Sequence, residues 1–466
     1  MAPQSSVIQE IAAPVLPTVG ALNKQMFDVG VNDPLPPTQF LILGLQNVFG
    51  MTGMFVFPGI LGRAYGLPAE QIAYLYGVTF MVCGLITIFQ SVLLLRLPII
   101  QGPYAGTFAA LLSTGHLPGA NLGTAFGSLC VASLIFCALT IPIRGMSVIG
   151  LFVRHLRSPL LSGMMVLLTT IQVSTVAFPG WLGLRTSPGF PVLNLAAGAM
   201  ALATLIVVML WGGSKFRRGA VLAGLAVGTL FYAAVQHISF SAVVNAPLLI
   251  APEWFPFGFG VRADFVLVFL LTLIPATLAT VALYQMVADW GNEPLPSNRI
   301  SEGLFAMSVG AVLAGITGGV STMAYPDCIG MLRSTRVCSR YATLAAGLIL
   351  ILLGSCIKFD MLLVIVPLPV LSASATLLFG IVFMHGLQML SRVEWNERTL
   401  ISGGLALLIA LGGILVSADT MQTLPFFARL LMEQPIISGG LTLIILSALL
   451  GATAPVANAG AEATGH

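Results

Sequence analysis

The sequence predicts an all-α polytopic membrane protein of about fourteen transmembrane helices, and three observations carry that prediction. Of its 466 residues, 57% are hydrophobic and only 8% are charged, with a mean hydropathy of +1.00. Soluble domains carry about 25% charged residues, so a water-soluble protein is excluded. Apolar runs recur about every 30 residues, the length of a membrane-crossing helix plus its connection. The runs are unbroken rather than alternating, which excludes a transmembrane β-barrel. Abundant Gly (50) and Pro (28) suit helices that pack closely or are broken.

Residues 1–38 are mixed polar and Pro-rich, with Pro34, Pro36 and Pro37. Lacking the basic start and apolar core of a cleavable signal, they read as a cytoplasmic lead-in with room for a short surface helix. The apolar runs follow at 39–61, 70–95, 98–115, 121–142, 159–179, 190–211, 219–237, 264–289, 301–317, 321–337, 341–358, 368–391, 399–416 and 436–454. With the N-terminus inside, fourteen of the nineteen Lys and Arg residues fall on the inner side, among them Lys24, Arg96, Arg299, Arg336 and Arg392. The five outside are Arg63, Arg185, Arg262, Lys358 and Arg429. This asymmetry follows the positive-inside rule and puts both termini in the cytoplasm.

The third and tenth runs are irregular. One opens Leu97-Pro98-Ile99-Ile100-Gln101-Gly102-Pro103-Tyr104-Ala105-Gly106; the other holds Gly318-Gly319-Val320-Ser321-Thr322-Met323-Ala324-Tyr325-Pro326-Asp327-Cys328-Ile329-Gly330. Gly, Pro and polar residues at membrane depth require backbone that is buried in protein or lines a cavity. The expected form is a short extended segment followed by a half-helix that starts near the bilayer middle. The first run begins near Phe40 and the eighth near Asp264, and the same spacing carries Gly106 onto Gly330. Paired breaks of this kind predict two inverted repeats of seven helices with a binding site at the midplane.

Asp327 is the leading site candidate. A carboxylate within a membrane segment costs roughly 2.5–3.5 kcal/mol at the centre, so it needs a partner or a task. It can accept a ligand N–H or carry a proton beside a half-helix N-terminus. It can equally cap that helix. Arg333, close behind, is read either as neutralising Asp327 or attracting an anion, or as a snorkelling loop-side Arg. On the third run, Tyr104 and Phe108 can stack on a planar ring, and the backbone at Ala105, Gly106 and Thr107 can meet a ligand carbonyl. Against that stands simple close packing at Gly102 and Gly106. Thr280, Tyr284 and Gln285 on the eighth run and Gln46 on the first offer neutral hydrogen bonds, with buried packing as the competing reading. His116, His155, His237 and His385 are scattered and read as interfacial residues. The six cysteines form no CxxC, which argues against a metal or disulfide framework. No hydrolase elbow, Walker loop or zinc pattern stands out, so neither an enzyme nor a nucleic-acid partner is expected. Without an ATP-binding domain, uphill transport must use an ion gradient.

Several segments resemble one known group. These are Gln46-Asn47, the Leu-Pro-x-x-x-Gly entry at Leu97, Pro98 and Gly102, and Ala324–Gly330, similar to a Thr-Tyr-Gly-Glu-Asn-Ile-Gly pattern. Thr335-Arg336-Val337-Cys338-Ser339-Arg340 and Pro367-Leu368-Pro369-Val370, followed by Phe379-Gly380, Gly386 and Asn396, extend the likeness. Over roughly residues 38–455 the chain resembles the nucleobase–ascorbate transporters, or nucleobase–cation symporters, which include bacterial uracil and xanthine permeases. The resemblance implies a core domain of helices 1–4 (39–142) and 8–11 (263–358). It implies a gate domain of helices 5–7 (143–262) and 12–14 (359–455), followed by a tail at 456–466. It also implies proton-coupled secondary transport of a planar heterocycle by an elevator-like motion, in a bacterial inner membrane. No cofactor is implied beyond the proton gradient, and no partner beyond the lipid bilayer, the small-molecule substrate and a second copy docked through the gate helices. The site it implies draws on Asp327, Cys328, Tyr325, Tyr104, Ala105, Gly106, Thr107, Phe108, Thr280, Gln46 and Ala279.

The departures are as informative. Counting back from Glu293-Pro294 sets the family's eighth-helix Glu-x-x-Gly-Asp onto Ala279–Leu283, so its glutamate is alanine here. The ninth-helix aspartate of xanthine permeases falls at Met307, and the tenth-helix Asn at Cys328. Asp327 is then the one carboxylate left at the expected site. Two alternatives stay open on the same fold: a carrier of an aromatic or other small organic anion, and an uncoupled facilitator.

Overall fold

The computed structural model describes residues 27–451 except 115–118, 120, 144–146, 151–157, 184–189, 214–218, 237–240, 327–330, 333–334, 425–427, 430–431 and 433–434. Among them, helices run through thirteen of the fourteen predicted runs, and Met331, Leu332 and Thr335 are helical in the tenth. The first run is α1 (Pro37–Gly50) and α2 (Phe57–Ala64), joined by a short 3₁₀ turn at Thr52–Phe55 and bent by 63°. Next come α3 (Ala69–Ile88), extended by a π-helical turn at Phe89–Leu94, strand β1 (Gln101–Pro103), α4 (Ala105–Thr114) and α5 (Leu122–Thr140). After these lie α6 (Pro159–Ala177), α7 (Val192–Trp211), α8 (Ala220–Val235) and the short α9 (Ser241–Asn245). The second half holds α10 (Ala263–Gly291), α11 (Ser297–Thr317), strand β2 (Thr322–Ala324), α12 (Arg340–Ser355) and a connecting helix α13 (Ile357–Val364). It closes with α14 (Leu368–Leu390), α15 (Glu397–Leu415), the short α16 (Ala418–Thr423) and α17 (Pro435–Leu450). Seven of these helices are long and apolar enough to cross a membrane, the bent α1–α2 pair makes an eighth, and four shorter apolar helices of 10–17 residues accompany them. The chain is an integral membrane protein.

Local chemistry sets the helix starts. Asn121 and Asn396 each form a reciprocal capping box, with Thr124 and Thr399 three residues on. Ser158 and Ser339 cap α6 and α12, and Pro159 occupies the first turn of α6, where its missing N–H costs nothing. The connection 392–398 thus contains a defined helix start at Asn396.

The N-terminal lead-in is described from Phe27 onward. Residues 27–36 contain no helix; the Asp28 N–H donates to Arg336 O at 2.8 Å, and the Cys338 N–H donates to Val29 O at 3.0 Å. Val31 is buried against this segment. Residues 1–26, the larger part of the lead-in, lie outside the described residues.

Packing sorts the spans into two groups. In one, α3 lies along α12, α5 along α11, α1 along α12 and α10 along α5. In the other, α6 lies along α14, α7 along α8, α15 along α17 and α14 along α7. Exchange the first seven spans for the last seven and this pattern maps onto itself: the α3–α12 contact becomes α11–α5, and α7–α8 becomes α15–α17. That is the behaviour expected of two related halves. Glycines set the closest approach in the first group: Cβ atoms added at Gly77 or Gly84 of α3 would meet the carbonyls of Gly354 and Gly347 of α12 at 2.7 and 2.6 Å. Between membrane helices such small-residue seams let backbones touch. Large apolar side chains such as Trp211, Leu408 and Leu415 stay exposed on the outer helices, as suits a surface facing lipid.

Candidate functional site

The broken runs meet in the middle of the molecule. β1 and β2 pair antiparallel, with Gln101 opposite Ala324, Gly102 opposite Met323 and Pro103 opposite Thr322. The ladder continues one step at each end: Tyr104 N–H donates to Ser321 O at 2.7 Å, and Tyr325 N–H donates to Ile100 O at 2.9 Å. These bonds satisfy backbone that has no helix to serve it, which is the condition for irregular chain at membrane depth.

Side chains fix the ladder to its surroundings. The Tyr325 ring lies against the face of Gly102, where any Cβ would strike it, and its hydroxyl accepts a hydrogen bond from Gly53 N–H at 2.8 Å. Behind the ladder, fully buried Gln101 donates from its amide to Gln90, and Gln90 donates in turn to the hydroxyl of Tyr284. Gln101 N–H also donates to Thr87 Oγ1 at 2.9 Å. One polar chain therefore ties β1 to the end of α3 and to the middle of α10.

In front of the ladder opens a cavity of about 460 Å³, between the two packing groups. One wall holds Gly53, Phe57, Tyr104, Ala105, Met323 and Tyr325, with Pro275, Ala279 and Leu283 of α10 beside them. The facing wall holds Met165, Thr169 and Thr170 of α6, and Leu378, Phe379 and His385 of α14. Phe57 stacks on Phe108 at 4.5 Å between ring centroids and on Phe379 at 5.5 Å, nearly parallel in both cases. This aromatic slab borders the cavity at Phe57 and Phe379. Thr169 and Thr170 spend their hydroxyls on the helix carbonyls of Met165 and Leu167, both at 2.8 Å. Tyr104 is buried; its hydroxyl faces Thr169 without a well-aligned hydrogen bond. Among the described lining residues there is no Asp, Glu, Lys or Arg.

The expected site residues fall into three sets. Tyr104, Ala105, Ala279 and Tyr325 lie on the cavity wall. Gln46, Gly106, Thr107, Phe108 and Thr280 stand behind it: Phe108 backs Phe57, Thr280 donates to the Met307 sulfur at 3.4 Å, and the Tyr104 ring folds over Gly106. The Thr107 hydroxyl and Gln46 Oε1 are buried without partners among the described residues. Asp327, Cys328 and Arg333 lie outside the described residues, although their neighbours Pro326 and Met331 line the cavity. The wall residues Phe57, Thr169, Thr170 and Met165 carry no signal in sequence, since each sits within an ordinary apolar run. His385 reads as interfacial, yet it lies at the cavity. Among the described residues no cluster of three or more His, Cys, Asp or Glu could hold a metal ion.

Comparison with known proteins agrees with this architecture. Residues 38–418 match the Permease family of xanthine/uracil permeases. The uric acid permease PucK of Bacillus subtilis is 27% identical over 427 residues, covering 90% of this chain and 96% of that protein. The xanthine permease of Bacillus subtilis is 27% identical, covering 87% and 92% respectively. A putative purine permease of Clostridium perfringens, CPE0397, is 26% identical over 90% of this chain and 92% of its own length. Among solved structures, the transmembrane domain of the cyanobacterial bicarbonate transporter BicA superposes with a TM-score of 0.55 at 15% identity, covering 92% of this chain and all of that one. SLC26A9 gives 0.59 at 13% identity, covering 88% of this chain and 65% of that one. These two share the fold.

Proposed function

The chain belongs to this permease family, a transporter and not an enzyme, and on that premise we propose that it carries a nucleobase-like planar heterocycle such as xanthine, uric acid or uracil. The observation that carries the reading is the cavity itself: the aromatic rings of Phe57, Tyr104 and Tyr325 on one wall and Phe379 on the other, beside a paired strand ladder. Aromatic faces accept a flat ring. The Tyr104 hydroxyl and the half-helix start at Ala105 supply polar contacts for its edge. The two packing groups that meet at the cavity suit an elevator-type movement of one against the other. In this reading the protein lies in a bacterial inner membrane with both termini in the cytoplasm, and a proton gradient drives accumulation, with Asp327 as its candidate carrier. A homodimer through the second packing group completes the proposal.

The test is counterflow in proteoliposomes loaded with unlabelled xanthine, uric acid or uracil. Saturable exchange of at least one labelled base, competed by the others, is the expected result. If none exchanges while benzoate does, the heterocycle reading fails. That second reading, a small organic anion, is favoured by one observation: Ala279 and Leu283 leave the described cavity wall without a carboxylate to repel an anion. Exchange without accumulation under an imposed proton gradient would make the protein a facilitator.

A further inference from the structure

Away from the cavity lies a buried carboxyl that the transport reading does not use. Asp360 sits in α13, the connecting helix between the spans α12 and α14. Its side chain is 0% exposed, and neither carboxyl oxygen has a hydrogen-bond partner among the described residues. Gly77 of α3 makes room for it. A Cβ there would stand 2.8 Å from Asp360 Oδ2 and 2.7 Å from the carbonyl oxygen of Gly354, near the end of α12. Beside it Ala73, Ile357 and Met361 pack together, with Ile250 against Gly77.

Such surroundings disfavour a negative charge. No donor reaches the oxygens, and a carbonyl at a helix C-terminus carries negative partial charge. Burial accordingly raises the carboxyl to about 9, and the nearby Cys356 thiol acts in the same direction. Four other titratable or charged groups belong to the neighbourhood. Tyr76 on α3 donates its hydroxyl to Phe55 O at 3.0 Å. Arg63 on α2, electrostatically coupled to Tyr76, donates to Val364 O at 2.7 Å and to Val366 O. Cys356 caps α13, and Lys358 lies on α13 itself. The short helix α9, packed on α13, carries none. Arg63 and Asp360 form no ion pair, and Arg63 Nη1 is itself buried without a partner among the described residues.

We propose that Asp360 is a proton-carrying residue of the transport cycle, holding its proton while α13 rests on Gly77 and releasing it to water when that contact opens. The O–H bond breaks, the proton passes to solvent, and the carboxylate left behind is hydrated by the water that the opening admits. The position suits the task, because α13 bridges the packing groups: it lies on α3 and α12 of one and runs directly into α14 of the other. A lone carboxyl among apolar side chains takes a proton and not a metal ion.

The transport half of the test rests on the heterocycle reading; the spectroscopic half does not. Full-length protein in phosphatidylcholine bilayers is titrated by infrared spectroscopy. A protonated carboxylic acid band persisting at pH 7, absent in Asp360→Asn and lost in the alkaline range, is expected. Asp360→Glu, which keeps an acid but moves the band, serves if the Asn variant does not fold. A band unchanged in both variants overturns the proposal, and so does a midpoint that follows sodium at fixed pH. In proteoliposomes under an inward proton gradient, the Asn variant is expected to exchange xanthine while losing at least ten-fold in accumulation. Undiminished accumulation overturns the proposal. If the wild type moves none of xanthine, uric acid and uracil, the substrate reading fails and the infrared titration still decides Asp360.

Discussion

Tyr104 and Ala279 define the chemistry of the cavity from opposite directions, one by offering a hydroxyl and the other by withholding a carboxylate. The Tyr104 ring is packed over Gly106 and under Thr169, so its hydroxyl is held in place before any ligand arrives. A neutral hydrogen bond contributes about 0.5–1.5 kcal/mol net, or roughly 2- to 12-fold in affinity. Tyr104→Phe is therefore expected to raise the apparent KM for exchange by that factor with little change in maximal rate. A variant with unchanged KM would remove the hydroxyl from the site. Ala279 lines the same cavity, and a glutamate there would face any anion within it. Two like charges some 4 Å apart repel by about 4 kcal/mol at the effective dielectric of a protein surface. Ala279→Glu should then weaken binding of an organic anion such as benzoate by more than ten-fold while sparing neutral bases, measured by competition against labelled xanthine. Equal loss for both classes would point to steric filling of the cavity.

At the scale of elements, the ladder of β1 and β2 is held by the buried chain from Gln101 through Gln90 to Tyr284. Replacing the middle member leaves two buried polar groups without partners, each at about 1–3 kcal/mol. Gln90→Leu is expected to lower the midpoint of thermal unfolding in detergent by several degrees. It should also raise KM, because β1 sets the position of Tyr104; a lowered midpoint with unaltered KM would confine the chain to a purely structural role. The paired breaks in the third and tenth runs are legible in sequence, because Gly and Pro at membrane depth interrupt a helix and demand that the freed backbone be buried or line a cavity. The register of the ladder is not, since Pro98, Gly102 and Pro103 permit several pairings and only the docking of Tyr325 on Gly102 selects one. The buried chain escapes sequence reading for a related reason. Gln90 lies at the end of an apolar run, where a loop-side glutamine looks the same as a buried one, and the π-helical turn at Phe89–Leu94 that accompanies it has no composition signature. The facing wall on α6 and α14 is invisible for want of any pattern: Met165 and Leu378 become site residues only by the way two helix groups meet.

For the whole molecule, the division of basic residues is the sequence feature with the longest reach, and several of its members share one end of the structure. Arg299 donates to the carbonyls of Leu95 and Arg96 and pairs with Glu293 at 3.3 Å. Nearby, Arg336 pairs with Asp28 at 3.4 Å and Arg340 donates to Val92 O, so the ends of α3, α11 and α12 converge there with the N-terminal lead-in. Arg63 belongs to a different set, bonded to the carbonyls of Val364 and Val366 beside α13. The proposed orientation, with the basic-rich side toward the cytoplasm, follows from the positive-inside rule. The orientation can be read with single cysteines in a variant whose own six are replaced by serine or alanine. Glu70, exposed at the start of α3, belongs to the side of Arg63, and Arg392, exposed after α14, belongs to the basic side. A membrane-impermeant maleimide applied to intact cells should label Glu70→Cys and spare Arg392→Cys until the membrane is permeabilised. The reverse pattern would invert the molecule and with it the side on which Asp360 gives up its proton. Labelling of both from outside would mean that an even number of crossings separates the two positions, and the seven-plus-seven arrangement of spans would have to be redrawn.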